Sequence, residues 1–385
     1  MKKIIVLGAG MVGSAMAIDL AKKNNVTVAD LSDKALDRLK QKNSTIQTLQ
    51  LNAKDKALLT AAIAPFDIVV CAVPGFMGFE TLKTIIEAGK NVVDISFFPE
   101  NSLDLDTLAK QKGVTAIVDC GVAPGMDNVI LGYYNEKMKL TDFECLVGGL
   151  PKVKKWPFNY KAPFSPIDVI EEYTRPARYV ENSQIVVKPA MSDIEHIEMA
   201  GVGTLETFNS DGLRSIIFTM PHIPNMKEKT MRYPGHIEKV LALRDSGFLS
   251  KEPIQINGVD VVPLDFTSKI LFNEWKLGET EEEITVMRVT VVGEENGVTK
   301  KVAYHLHDEY NKDTQTSSMA RTTGYTATAA VSLISENLFT EKGVFPPELV
   351  GKHEKCFNHF MNYLKERGVH YRKEETVITN ESVKA

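Results

Sequence analysis

Ile4-Ile5-Val6-Leu7-Gly8-Ala9-Gly10-Met11-Val12-Gly13 is the stretch whose reading decides the fold. Four apolar residues form a short strand, three glycines at G-x-G-x-x-G spacing form a turn, and a helical pattern runs on to about Lys23. The glycines allow a tight turn and let the backbone approach a diphosphate whose charge rests on the helix N-terminus. The next strand, Val26–Asp30, closes on an acid twenty residues after Gly10, the position of a carboxylate that bonds the adenosine ribose hydroxyls. Gly8, Gly10, Met11, Val12, Gly13 and Asp30 are therefore the expected dinucleotide ligands. A carboxylate repels a 2′-phosphate, and Leu31 follows it where an arginine often holds NADP. NAD is expected over NADP.

Working outward, further strands are legible at Thr45–Leu51, Asp67–Val73, Asn91–Ile95 and Thr115–Cys120, with helical stretches such as Lys54–Ala62 and Thr81–Ala88 between them. Strands that alternate with helices, and are apolar throughout, mark a parallel sheet covered on both faces. The fold class is α/β: a Rossmann, doubly wound parallel sheet over residues 1–122. After Gly121 the pattern changes to scattered strands and proline-rich connections. Val286–Val292 and Val302–Leu306 are strands joined by the turn Glu294-Glu295-Asn296-Gly297. Residues 123–316 are expected to form a mixed α+β substrate and dimerisation domain. A helix from Ser317 to Leu338, rich in Ala, Gly and Thr, begins a C-terminal helical segment (317–385) expected to pack back on the Rossmann domain.

Composition narrows the function. The chain has 385 residues, of which 43% are hydrophobic and 25% charged, enough for two well-filled cores and unlike a disordered chain. Net charge is −5 without blocks of one sign, which argues against nucleic acid or anionic lipid as a partner. Four dispersed cysteines without a CxxC pattern read as free thiols in a reducing compartment. No apolar run approaches a membrane span, and the short apolar run at the N-terminus meets glycines rather than a cleavage site. A cytoplasmic enzyme for a small molecule is expected.

Candidate site residues fall at strand ends, where such sheets bind ligands. They are Val73 and Pro74, then Ser96 and Phe97, then Gly121 and Val122 followed by Asp127 and Asn128. Asp127 is either a catalytic acid near the nicotinamide or a partner of the helix dipole. In the second domain, Thr230-Met231-Arg232-Tyr233-Pro234-Gly235-His236 is read as opening an amphipathic helix. Arg232 and Arg214 are candidate carboxylate clamps, since guanidinium grips carboxylate through two parallel hydrogen bonds. His236 is a candidate general base. His305 and His307 share a strand face, but no third ligand is evident and no metal is expected.

Together these pieces resemble the saccharopine dehydrogenase superfamily, most nearly its lysine 6-dehydrogenase-like members. The segments that carry the resemblance are GAGMVG, VVDISF, DCGVAPGMDN, IEEYTRPAR, SDGLRS, KTMRYPGHIEK, SSMARTTGYTA and KGVFPPE, ending at about Leu349. The resemblance implies a homodimer and an NAD-dependent reaction: L-lysine is oxidised at its ε-amine to allysine, which cyclises to piperideine-6-carboxylate, with release of ammonia. It also implies that Thr230 and Arg232 hold a substrate carboxylate and that Ser96 and Phe97 stand where saccharopine reductases have Ser-Tyr. Ala123 stands in place of their substrate-binding acid, and Asn209–Leu213 lacks their arginine, which favours a smaller substrate than saccharopine.

Hydride loss from the ε-carbon requires a neutral amine. A free ε-ammonium has a pKa of about 10.4, so the site must remove its proton. Asp127 and His236 are the two candidates. The rival readings are a saccharopine reductase-like enzyme acting on a secondary amine and a non-catalytic NAD-binding sensor.

Overall fold

The computed structural model describes residues 1–163, 166–278 and 280–378. Six strands occupy the first third: β1 (Lys3–Leu7), β2 (Asn25–Asp30), β3 (Gln47–Gln50), β4 (Ile68–Cys71), β5 (Asn91–Asp94) and β6 (Thr115–Ile117). Their apolar runs are covered on both faces: Ile4, Ile5, Val6 and Leu7 in β1 and every residue of β4 are buried. The next six are β7 (Lys139–Pro151), β8 (Ala177–Glu181), β9 (Gln184–Lys188), β10 (Glu195–Met199), β11 (Gly203–Asn209) and β12 (Asn225–Arg232). A small hairpin, β13 (Ile254–Ile256) with β14 (Val259–Val261), precedes β15 (Glu283–Glu295), β16 (Val298–Glu309), β17 (Gly343–Phe345) and β18 (Tyr371–Val377).

The first sheet is parallel in the order β17-β6-β5-β4-β1-β2-β3. Chain direction across the sheet reverses between β1 and β4, so a crevice opens beyond their C-terminal ends. The second sheet runs β10-β11-β12-β7-β15-β16-β18, with β8 attached at β12 and β9 paired to β8. Its pairings are antiparallel except β12 with β7, which are parallel neighbours. A Rossmann domain with a second, mixed domain is thus the architecture.

Several boundaries differ from the sequence reading. The β15–β16 hairpin is longer at both ends than expected, and Glu295 pairs directly with Val298. Asn296 and Gly297 alone make the turn, with φ of 54° and 77°. Two consecutive left-handed residues match the twist of the flanking strands, and Asn-Gly tolerates them best. Thr230 and Arg232 end strand β12 instead of opening a helix; the helix begins at His236, after Gly235 turns the chain with φ 83°. The stretch read as a helical segment contains two strands, β17 in the first sheet and β18 in the second. Its last residues, 379–385, lie outside the described residues.

The helix Ser318–Ser335 lies against the first Rossmann helix, Met11–Ala21. Gly324 permits the approach, since a Cβ there would stand 3.1 Å from Met16 Cγ. Asp19, buried in that first helix, gathers Thr328 Oγ1 at 2.9 Å, Tyr363 Oη at 2.8 Å and Arg367 Nε at 2.8 Å. All four cysteines are buried and free. Among the described residues, no helix is long and apolar enough to cross a membrane.

Candidate active site

Between the C-terminal ends of the first sheet and the face of the second lies a cleft of about 1800 Å³. Small-molecule pockets are usually roughly 300–1,000 Å³. This cleft has room for a dinucleotide and a second molecule beside it. Gly8, Gly10, Met11, Val12, Gly13, Asp30, Val73, Pro74, Gly121 and Val122 all line it. So do Ser96, Phe97, Thr230 and Arg232.

The dinucleotide half is built by backbone. A Cβ on Gly13 would stand 2.1 Å from the Gly8 carbonyl oxygen, and one on Gly8 would stand 2.5 Å from that of Ala72, so both are glycine for want of space. Gly10 differs: a Cβ there would meet nothing within 4 Å, because it would project into the cleft. The helix that starts at Met11 has no side-chain cap and no acid in its first turn. Its leading amides and positive dipole end are left for an anion, which is what a diphosphate requires. Asp30 stands at the end of β2 with Oδ2 accepting from the Ala9 amide at 2.7 Å and Oδ1 from the Ser32 amide at 2.8 Å. These residues fit a dinucleotide.

The other half is polar and mostly acidic. Asp119, Asp168, Glu171, Glu172, Asp211 and Glu228 line it, alongside Arg175 and Arg232. Most of the arginines near it are committed to acids. Arg232 is buried, giving Nε to Tyr173 Oη at 3.0 Å, one terminal nitrogen to the Met231 carbonyl at 3.0 Å and the other to Glu172 at 3.0 Å. Burial raises the Glu172 carboxyl above the usual range, against the opposing pull of Arg232. Arg178 pairs with Asp211 at 2.9 Å. Arg214 donates Nε to Asp119 at 2.9 Å and a terminal nitrogen to the Phe98 carbonyl at 2.6 Å.

Arg175 is the exception. It follows the helix Pro166–Thr174, touches Glu171 at only 3.5 Å, and has one terminal nitrogen, Nη1, buried without a hydrogen-bond partner. Phe97 is held between two guanidinium groups, Arg175 with Cζ 5.0 Å from the ring centroid and Arg214 with Cζ 4.8 Å. The aromatic ring thereby fixes where Arg175 stands. The helix Gly75–Glu87 presses Phe97 from behind, since a Cβ at Gly75 would stand 2.3 Å from the Phe97 carbonyl oxygen. Ser96 spends its hydroxyl on Asp94 at 3.1 Å, and Thr230 spends its own on Ser210 at 2.9 Å.

Four expected site residues do not line the cleft, and three of them need correction. His236 is fully buried, with Nε2 2.9 Å from Tyr173 Oη and Nδ1 2.9 Å from the Phe158 carbonyl oxygen. Burial and then the charge of Arg232 lower its pKa to about 3. It is a packed, neutral histidine, not a base facing the substrate. Arg214 is not a free clamp, because Asp119 holds it under Phe97. Asn128 is not a substrate ligand: it accepts from the Gly125 amide at 3.0 Å and donates to Glu348 at 2.8 Å. Asp127 is also fully buried, with Oδ1 accepting from the Gly125 amide at 2.8 Å in the helix-start role. Its other oxygen has no partner. Of the residues that sequence reasoning missed, Arg175 and Glu172 sit inside IEEYTRPAR, a segment noticed only as a family likeness. The two histidines of the β16 face are engaged elsewhere, His305 with Glu374 at 3.2 Å and His307 with Glu309 at 3.7 Å.

Comparison with known proteins agrees with this geometry. Residues 4–117 match the family described as the saccharopine dehydrogenase NADP binding domain, and residues 121–369 match the saccharopine dehydrogenase C-terminal domain. A saccharopine dehydrogenase [NADP(+), L-glutamate-forming] of Pyricularia oryzae is 25% identical over 65% of this chain, which spans only 59% of that protein's length. Carboxynorspermidine synthase of Vibrio cholerae is 24% identical, covering 90% of this chain and 91% of its own. The crystal structure of saccharopine dehydrogenase (L-Glu forming) from Saccharomyces cerevisiae superposes with a TM-score of 0.79 at 20% identity, over 98% of this chain and 100% of that one.

Proposed function

The chain belongs to the saccharopine dehydrogenase family, and from that premise we propose that it is an NAD-dependent oxidoreductase that deaminates the ε-carbon of L-lysine. The products are allysine, which cyclises to piperideine-6-carboxylate, and ammonia. A bound nicotinamide supplies the hydride acceptor; the protein's own groups select, orient and deprotonate the amine.

The observation that carries this reading is the charge balance of the substrate half. Among the described residues lining the cleft there, Arg175 alone offers a buried guanidinium nitrogen without a partner. One such donor suits a substrate with one carboxylate, and the surrounding acids suit one that also carries ammonium groups. Lysine has both features. Saccharopine, with three carboxylates, would meet Asp119, Asp211 and Glu172 with their arginines already occupied. Arg175 therefore holds the α-carboxylate, Phe97 packs along the methylenes, and the ε-amine extends along the cleft towards the nicotinamide end. The cofactor preference follows from Asp30, whose fixed carboxylate favours a ribose hydroxyl over a phosphate. Homodimeric assembly and a cytoplasmic setting belong to the same reading.

A second reading keeps the cofactor and changes the substrate to a carboxyalkyl polyamine, joined through a secondary amine. The acidic cleft and the end-to-end likeness to carboxynorspermidine synthase favour it. Purified protein assayed for cofactor reduction against L-lysine, L-ornithine, saccharopine and carboxynorspermidine, with NAD and NADP in parallel, separates the readings. Oxidation of lysine with NAD is expected. Oxidation of saccharopine or carboxynorspermidine with lysine inert would overturn it, and no reduction with any amine would support a sensor.

A further inference from the structure

Behind the cleft wall lies a buried group of acids that the reading above does not use. Strands β12 and β7 are parallel neighbours, and Glu228 on one stands directly opposite Cys145 on the other. The start of the helix Met126–Asn135 sets Asp127 against both. A carboxylate oxygen of Asp127, a carboxylate oxygen of Glu228 and the Cys145 sulfur all lie within 4.8 Å of one another. Asp127 Oδ2 and Glu228 Oε2 are buried with no hydrogen-bond partner, as is the Tyr371 hydroxyl. Two buried carboxyls within 4.8 Å of each other, each with an oxygen that no N–H or O–H donor reaches, are strongly disfavoured as a pair of anions without a cation or a proton between them.

Gly212 shows where the Glu228 carboxyl points. A Cβ at position 212 would stand 1.8 Å from Glu228 Oε1, although the backbone there has no need of glycine's conformational freedom. Gly212 and Glu228 both line the cleft. The missing side chain leaves the Glu228 carboxyl its place against Gly212, a residue of the cleft lining.

We infer that Glu228 and Asp127 hold one proton between them, and that Glu228 is the group that takes the ε-ammonium proton, with Asp127 as its positioning partner. This rests on the amine-oxidation reading. The surroundings suit the task. Facing the pair are Cys145 from β7, Tyr371 from β18, Glu348 from the helix Pro347–Gly351, and Glu172, Asp211 and Arg214 around Glu228. Arg214 is the cation among them, and Asp119 engages it. Burial, then repulsion from Asp127, raises the Glu228 carboxyl well above its ordinary range; burial and Glu348 raise Asp127 to about 7. The resting pair carries one negative charge, and Glu228 passes its proton to Asp127 as it takes one from the ammonium, which leaves the substrate a neutral amine. A dinucleotide held by Gly10 and Asp30 would supply the hydride acceptor, and loss of the hydride would leave the substrate carbon an iminium ion. Water adds and ammonium leaves, so the proton left on the pair is the one released to solvent.

Infrared spectroscopy of the full chain without substrate tests the shared proton, and kinetics test its use. Wild type should show a protonated-carboxyl band at neutral pH that is removed or shifted by Glu228→Gln. Glu228→Gln should lower kcat by about 100-fold or more with NAD affinity and melting temperature retained. Asp127→Asn should shift the acid limb of the pH profile while turnover persists. Gly212→Ala, which keeps Glu228 but displaces its carboxyl, should reproduce the loss of kcat. The inference fails if wild type and Glu228→Gln have the same neutral-pH carboxyl band, if Glu228→Gln turns over normally, or if purified protein carries stoichiometric zinc that Glu228→Gln releases. A chain inert to lysine but with the expected band would refute the substrate reading and leave the shared proton standing.

Discussion

The Ala9 amide donates a 2.7 Å hydrogen bond to Asp30 Oδ2, tying the glycine turn after β1 to the acid that closes β2. The two halves of the expected cofactor motif are thus one hydrogen-bonded unit, oriented before any ligand arrives. Asp30→Ala should weaken NAD binding about 10- to 100-fold, the worth of charge-assisted bonds to ribose hydroxyls. NADP binding should hold or improve, because the repulsion goes with the carboxylate. Calorimetric titration with both cofactors checks this; an unchanged ratio of the two affinities rejects the assignment.

Two glycines in one turn should respond differently. Gly13→Ala forces a Cβ to 2.1 Å from a carbonyl oxygen, so the melting temperature should fall. Gly10→Ala meets no protein atom within 4 Å and should leave melting unchanged while its methyl group obstructs the diphosphate. Thermal melting with NAD titration on both variants reads the difference. Normal NAD affinity in Gly10→Ala would remove the diphosphate from that place.

Arg175 and Arg232 should separate function from stability. Arg175→Ala removes an unsatisfied donor at the cleft and should cut kcat/KM for the amino acid about 30-fold or more, chiefly through KM, with NAD affinity intact. Arg232→Ala leaves Glu172 without its partner and should cost roughly 3–5 kcal/mol of stability. Steady-state kinetics and denaturant unfolding measure the two. A stable Arg232→Ala with raised KM, beside a kinetically normal Arg175→Ala, would return the clamp to Arg232.

The Asp19–Arg367 contact predicts an acid response. Burial alone would raise the Asp19 carboxyl, but hydrogen bonds and charge from Arg367, helped by Tyr363, bring it below its ordinary value. An acid whose folded pKa is depressed stabilises the fold above its unfolded value of about 3.9 and loses that contribution as pH falls through the lower folded value. Wild type should therefore lose stability across that acid range, and Asp19→Asn should start less stable at neutral pH and lose less on acidification. Parallel curves for the two proteins across the acid range would mean the contact contributes nothing.

Much of the dinucleotide half was legible because its residues are neighbours in the chain. Gly8, Gly10 and Gly13 form one turn, and Asp30 ends the adjacent strand, so spacing alone implies their meeting. The substrate half was not legible in this way. Thr230 and Arg232 were noticed, but the end of a strand was read as the start of a helix, because Pro234-Gly235 marks a break without saying what precedes it. His236 and Asp127 carry side chains that suit catalysis, and only their surroundings show that one is spent on Tyr173 and Phe158 and the other is enclosed with Glu228.

From its order of residues alone, this protein had already settled on a parallel dinucleotide-binding sheet, since local turns and apolar runs need no distant partner to be read. Which charges stay available was decided only in three dimensions. Arg214, Arg178 and Arg232 are neutralised by acids between 33 and 95 residues away, whereas Arg175 keeps a donor and Glu228 meets Asp127 across two packed layers. Pairing of charges depends on distances of a few ångströms between segments far apart in the chain, and only the packed fold sets those distances.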